Sequence, residues 1–125
     1  MFKKSIFIVM IVILGAGLII SGCSNKNQKE LSKLEKIKEK GKIVLGTAAD
    51  YPPYEFHKQI NGKDNIVGFD IKIAREIAKD MGVDLEIKDM KFDGLLAALK
   101  ANNIDFIIAG MVPTKERSKS VDFSK

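Results

Sequence analysis

Ile66-Val67-Gly68-Phe69, then Asp70-Ile71-Lys72-Ile73-Ala74-Arg75-Glu76-Ile77-Ala78-Lys79-Asp80-Met81-Gly82, then Val83-Asp84-Leu85-Glu86-Ile87 read as strand, helix and strand in one unbroken stretch. Ile73, Ala74, Ile77, Ala78 and Met81 fall on one face at helical spacing, and Lys72, Arg75, Glu76 and Lys79 on the opposite one. Asp70 is the expected N-cap and Gly82 the stop. Val83 to Ile87 alternates as a half-buried strand does. A helix of this length between two strands is the crossover that parallel pairing requires.

The same alternation extends outward. Upstream, Ile43-Val44-Leu45 is a buried-strand run, followed from Gly46 to Pro53 by a loop rich in small residues and proline; Asn61 to Asp64 is a polar turn. Leu31, Leu34 and Ile37 predict a short amphipathic helix ending at Gly41, with a structural role. Downstream, Asp93 can cap a helix through Leu95, Leu96, Ala98 and Leu99, and Ile104 to Ala109 is a further strand. The expectation is an α/β fold, a mainly parallel sheet flanked by helices. Ligands in such sheets sit beyond the carboxyl ends of the strands. That points to the loops Gly46–Glu55, Lys88–Asp93 and Gly110–Arg117.

The first residues speak of compartment. Lys3 and Lys4 precede an apolar run from Ile6 to Ile20, as in an export signal, and the run is short for a span of about 20 residues. Ile20-Ser21-Gly22-Cys23 resembles the lipobox of bacterial lipoproteins. Residues 1–22 are then a signal peptide, and the mature chain starts at a Cys23 carrying thioether-linked lipid and palmitate-type acyl chains. Each buried methylene contributes about 0.8 kcal/mol, so two or three chains anchor firmly. The alternative is an uncleaved membrane helix with an incidental cysteine. Cys23 is the only cysteine, so no internal disulfide is possible. Loss of two lysines and no acid takes the formal charge from +5 to 5 − 2 = +3. The basic residues are interleaved with acids, a solvated surface and not a nucleic-acid stripe. Residues 23–41 read as tether and short helix, and residues 42–125 as the folded body.

Gly46-Thr47, Asp50-Tyr51-Pro52-Pro53-Tyr54-Glu55-Phe56, Val67-Gly68-Phe69-Asp70, Phe92-Asp93-Gly94-Leu95-Leu96-Ala97-Ala98-Leu99, Gly110-Met111, Thr114, Glu116-Arg117 and Val121-Asp122-Phe123-Ser124 resemble, in order and spacing, the family 3 extracellular solute-binding proteins. These are mostly amino-acid receptors of ABC importers. The resemblance implies a periplasmic-binding-protein-like fold with two lobes closing on a ligand. Of these the chain would hold an incomplete first lobe, so little affinity is expected of it alone. It also implies an extracytoplasmic protein, lipid-anchored to the cell membrane, with an ABC permease as partner. No cofactor, metal or nucleic acid is expected, and a monomer is.

The resemblance assigns the site residues. Arg117 matches the arginine that clamps a ligand α-carboxylate, a task suited to the planar guanidinium fork; otherwise it is an exposed arginine. Tyr51 and Phe92 match aromatics that sandwich the ligand side chain, or are rim residues. Gly110 matches a backbone site that meets the ligand's amino group. Val112 stands where many members carry Thr, Ser or Asp and offers that group no side-chain acceptor; Ala48 is a similar departure. Asp50 adjoins Tyr51 but can equally bond its own backbone. Thr114 is expected to cap a turn around Arg117, and Tyr54 and Phe56 to pack inward about Glu55. His57, the single histidine, lacks partners for a metal.

A binding module is thus expected and an enzyme is not, since acid and base candidates reduce to Asp50 and Glu55. A dehydratase-like enzyme on the same fold is the alternative, beside a signalling domain or the product of a broken reading frame.

Overall fold

The computed structural model of the protein describes residues 31–124. The export signal and Cys23 lie outside the described residues. In chain order the elements are α1 (Lys33–Lys40), β1 (Lys42–Thr47), β2 (Asp50–Tyr51), β3 (Glu55–Ile60), β4 (Lys63–Val67), α2 (Phe69–Met81), β5 (Asp84–Asp89), α3 (Leu95–Lys100) and β6 (Phe106–Ile107). Short 3-10 turns occupy Phe92–Gly94 and Arg117–Lys119.

β1 lies between β5 and β6 and runs parallel to both, with Leu45 opposite Ile87 and Phe106. Alternate β1 side chains serve two layers. Ile43 packs with Ile37 of α1 and Ala78 of α2, and Leu45 with Ile71 and Ala74 of α2. On the other face Val44 joins Leu95 and Ile104. Gly46 shares that face: a Cβ there would collide with Ile104 Cδ1 and stand 3.1 Å from Leu95 Cδ2, so glycine lets the α3 layer close on the strand.

α1 forms where its pattern predicts. The Ser32 hydroxyl accepts the Glu35 N–H at 3.2 Å while the Glu35 carboxylate accepts the Ser32 N–H at 2.7 Å, a reciprocal capping box. Gly41 ends the helix at φ 68°. Of the three apolar positions Ile37 is buried and Leu31 and Leu34 are exposed; Ile37 seats α1 on the body, and the compact unit starts at Leu31.

Several local expectations are corrected. Asp93, expected to cap α3, lies inside the 3-10 turn Phe92–Gly94, and Gly94 takes the N-cap position with no side-chain bond. The strand expected at Ile66–Phe69 is β4, which pairs antiparallel with β3 in a separate sheet, β2-β3-β4; Asn61 and Gly62 turn the hairpin with φ 53° and 75°, the left-handed pair that a two-residue hairpin favours. The last strand contracts from Ile104–Ala109 to Phe106–Ile107, because β1 is its one partner among the described residues. Glu55 is buried while Tyr54 is exposed and Phe56 only half-buried, the reverse of the inward packing expected of the two aromatics. Lastly, Gly68 and not Asp70 takes the N-cap position of α2. The first helical donors turn back to the preceding loop, Phe69 N–H to the Pro53 carbonyl at 3.1 Å and Asp70 N–H to the Tyr54 carbonyl at 3.0 Å. Gly68 permits this approach: its φ is 136°, and a Cβ would collide with the Tyr54 carbonyl.

Candidate ligand-binding site

The parallel strands end at Thr47, Asp89 and Ile107, and the loops leaving them carry the candidate residues. Non-local bonds stitch these ends together. The Thr47 hydroxyl, fully buried, donates to the Ile108 carbonyl at 2.8 Å. Met90 N–H donates to the Thr47 carbonyl at 3.0 Å, and Ala49 N–H to Asp89 Oδ1 at 2.9 Å.

Arg117 is half-buried, with its guanidinium carbon 5.4 Å from the Phe92 ring centre and one guanidinium N–H donating to the Val112 carbonyl at 2.9 Å. Glu116 and not Thr114 takes the N-cap position of the Arg117–Lys119 turn, but the Thr114 hydroxyl does accept Arg117 N–H at 3.2 Å. The cation–π contact and the carbonyl together hold a long side chain that would otherwise wander. Val112 thus contributes through its carbonyl, while its side chain is 64% exposed.

Two residues back, Gly110 has φ 57°, and a Cβ on it would lie 3.5 Å from the edge of the Tyr51 ring. Tyr51 also stacks on Tyr54 at 5.3 Å between ring centres and 19° between planes. The structure therefore joins Arg117, Phe92 and Val112 in one cluster and Tyr51 and Gly110 in another, and the backbone of residues 110–112 connects them. Asp50 lies exposed in β2, and its N–H donates to the Ala48 carbonyl at 2.8 Å.

A hollow of about 750 Å³ lined by Ile77, Leu99, Phe106, Ile108, Met111 and Phe123 includes Gly110 and Val112 but not Tyr51, Phe92 or Arg117. Its walls are mostly apolar, with Asp70, Asp105 and Asp122 among them, whereas the Arg117 cluster holds a guanidinium beside the Phe92 ring. Among the described residues no helix is long and apolar enough to cross a membrane, and no group of three His, Cys, Asp or Glu side chains could hold a metal ion.

Two groups close by escape a linear reading. Glu55 is 1% exposed and its Oε2 has no hydrogen-bond partner. Burial, then a hydrogen bond and charge from Asp70, and then the charge of Asp50 push its carboxyl up to about 7. His57 stands between two carboxylates, with Nδ1 2.6 Å from Asp64 Oδ2 and Nε2 3.0 Å from Asp89 Oδ2. The hydrogen bonds to Asp89 and Asp64 raise its pKa above the ordinary 6.5. The partners lie 7 and 32 residues away in sequence, so only the hairpin pairing could have signalled the first.

Residues 43–125 match the model of the bacterial extracellular solute-binding proteins, family 3. The chain belongs to that family. The arginine-binding extracellular protein ArtP of Bacillus subtilis (strain 168) is 38% identical over 122 residues, which are 98% of this chain and 43% of that protein. The L-cystine-binding protein TcyJ of Escherichia coli (strain K12) is 36% identical over 106 residues, 85% of this chain and 39% of that one. Among solved structures, the arginine-bound form of domain 1 from TmArgBP is 51% identical at a TM-score of 0.67, over 72% of this chain and 69% of that domain. An ancestral cyclohexadienyl dehydratase is 34% identical at a TM-score of 0.71, over 76% of this chain and 38% of its own. This family member thus spans less than half the length of the two curated relatives. The parallel sheet flanked by helices is the architecture shared with these periplasmic-binding-protein-like amino-acid binders.

Proposed function

We propose that this family member is an extracytoplasmic substrate-binding lipoprotein, lipid-anchored through Cys23, that captures a small polar solute, an amino acid, and presents it to an ABC permease. Residues 42–125 form the ligand lobe. Arg117 receives the ligand's α-carboxylate, Tyr51 and Phe92 hold its side chain, Gly110 and the Val112 carbonyl border its amino group, and Asp50 lies at the rim. The observation that carries the reading is the Arg117 guanidinium fixed over Phe92 by the Val112 carbonyl. A pre-positioned planar cation suits a carboxylate because less freedom is lost on binding.

Relatives named for arginine and for cystine support an amino-acid ligand. The arginine-bound first domain of a relative supports ligand contact by one lobe. Residues 42–125 supply the contacts of one lobe, and binding by them in the range of Kd about 1 mM is expected. An NMR titration of the chain with L-arginine, L-cystine and L-histidine tests this. Shifts at Tyr51, Phe92, Gly110 and Arg117 with at least one ligand, lost in Arg117→Ala, are expected. Silence at these residues with every ligand would overturn the reading.

A further inference from the structure

We infer that His57 is a positioning residue for the ligand loop: as an imidazolium it ties Asp64 of the β3–β4 hairpin to Asp89 at the end of β5, and so fixes the carboxylate that holds Ala49 beside Asp50 and Tyr51. Each ring nitrogen faces a carboxylate oxygen, at 2.6 Å for Asp64 and 3.0 Å for Asp89. A neutral imidazole carries one N–H and could donate to only one of them, leaving a lone pair against an anion at the other. Both contacts are satisfied by the doubly protonated ring alone.

The geometry extends beyond the ion pairs. Asp89 uses Oδ2 for His57 and Oδ1 for Ala49 N–H at 2.9 Å, so its carboxylate is held from two sides. Ala49 is buried and directly precedes Asp50-Tyr51, the two residues that make β2. β2 in turn pairs with β3, Asp50 opposite Phe56 and Tyr51 opposite Glu55. His57 follows Phe56 on β3 and pairs across the hairpin with Ile66. The clasp and the β2–β3 pairing therefore close a ring of contacts around the loop that carries Tyr51. The charged groups bonded to the imidazole, Asp64 on β4 and Asp89 on β5, are both anionic; Glu55, two residues earlier on β3, is buried and is a further acid. Loss of the imidazole proton removes one bond and frees Asp89 to turn away from Ala49. Protonation state thus passes from an exposed ring to the Tyr51 loop.

The consequence for ligand rests on the amino-acid reading above, and the clasp itself does not. The test is NMR of the full chain from pH 5.5 to 9, following the His57 ring nitrogens and the Ala49 and Tyr51 amides, with and without L-arginine. A His57 midpoint above 6.5, the Ala49 and Tyr51 amides moving with that midpoint, and an arginine affinity falling about fivefold through it, at the low end of usual site-to-site coupling, are expected. His57→Gln should abolish the amide titration and flatten the affinity profile. Asp89→Asn, which keeps an acceptor for Ala49 but not the charge, should lower the His57 midpoint while the chain stays folded. Amides that ignore the His57 midpoint, or a Gln variant that titrates like wild type, would overturn the inference. Coupled amides with no arginine response leave the clasp standing and count against the ligand reading alone, while arginine binding that is flat with pH overturns the positioning role.

Discussion

Replacing Glu55 by Gln should make the protein more stable at pH 8 and leave it nearly unchanged at pH 4. Glu55 is buried with one oxygen unpartnered, and it is close enough to Asp70 and Asp50 to feel both charges. All of these disfavour the ionised form. Its pKa rises from 4.5 to about 7 on folding. Between these values the folded chain holds a proton that the unfolded chain has released, so stability falls as pH rises through this window and levels off above it. At about 1.4 kcal/mol per unit, the whole fall is about 3 kcal/mol. That is a large share of the 5 to 15 kcal/mol typical of a domain. Glutamine cannot ionise and resembles the protonated acid in shape, so the variant lacks the fall.

Urea unfolding followed by circular dichroism at pH 4, 5.5, 7 and 8 measures both chains. The difference between them cancels the other titrations, including that of His57, whose raised pKa also costs stability as pH rises. The expected difference is near zero at pH 4 and grows to about 3 kcal/mol in favour of Gln at pH 8. Asp70→Asn in the Glu55 background should shift the fall to lower pH. A difference that stays flat with pH, or a Gln variant less stable at pH 8, would refute the argument.

Gly68→Ala should destabilise by about 3 kcal/mol or more, because its Cβ meets a backbone carbonyl at φ 136°; Gly62→Ala, at φ 75° with open space around it, should cost only about 1 to 2 kcal/mol. Thermal unfolding compares the two. Gly46→Ala should cost about 1 to 3 kcal/mol through overpacking against Ile104 and Leu95, and Ile104→Val should recover part of it in a double-mutant cycle. Arg117→Lys, at a half-buried site, should change stability by no more than about 0.5 kcal/mol yet remove the NMR response to amino acids, since a point ammonium cannot reproduce the planar fork. Cys23→Ala should abolish the lipid mass and the cleavage before residue 23, both read by mass spectrometry of the chain.

Legibility followed the range of the interactions. α1 and α2 are readable because their apolar spacing and their terminal glycines, Gly41 and Gly82, are local signals, but the core face of α2 is rotated from the one expected: Ile71 is buried with Ala74 and Ala78, and Ile73 is exposed. β1 was readable as a strand buried on both faces. The hairpin was half seen: Asn61-Gly62 announces its turn, but β3 reads Glu55-Phe56-His57-Lys58-Gln59-Ile60 and shows no apolar alternation, since residues 57–60 are exposed and backbone pairing alone defines them. Asp70 looked like a cap because the Pro53 and Tyr54 carbonyls that replace a cap are brought there by tertiary structure. The inversion at Tyr54, Glu55 and Phe56 has the same origin, for the carboxylate beside Asp70 is buried under the start of α2. At the site, family resemblance singles out Arg117 and Phe92 separately and sets Phe92 with Tyr51, so neither it nor periodicity announces the contact of Arg117 with Phe92. The clasp at His57 depends on Asp89, 32 residues away, and no local pattern encodes it.

The bonding around the site divides its labour. Backbone groups, the buried Thr47 hydroxyl and the exposed Asp89 carboxylate hold the loops: Thr47 to Ile108, Ala49 to Asp89, Met90 to Thr47, Tyr54 N–H to the Tyr51 carbonyl at 2.9 Å, and the first donors of α2 to Pro53 and Tyr54. None of these bonds uses the side chain of Tyr51, Tyr54, Phe92 or Val112. Those side chains can change without releasing the loops, because the cost of losing a loop bond falls on buried polar groups while the cost of changing an exposed ring is small. Arg117 is the intermediate case, since it spends one N–H on the Val112 carbonyl and carries further donors that, on the proposed reading, meet the ligand. On the proposed reading, the ligand side chain such a lobe accepts would change by substitution at the exposed Tyr51 ring while the Arg117 contact is kept. Substitution at the exposed Tyr51 should therefore alter selectivity among amino acids with little loss of stability, whereas truncation of Phe92, packed on the Leu95–Ile104–Ala109 cluster, should cost stability as well. Substitution at Thr47 or Asp89 should cost stability and every ligand together. A Tyr51 variant that unfolds the chain, or an Asp89 variant that changes selectivity alone, would contradict this division.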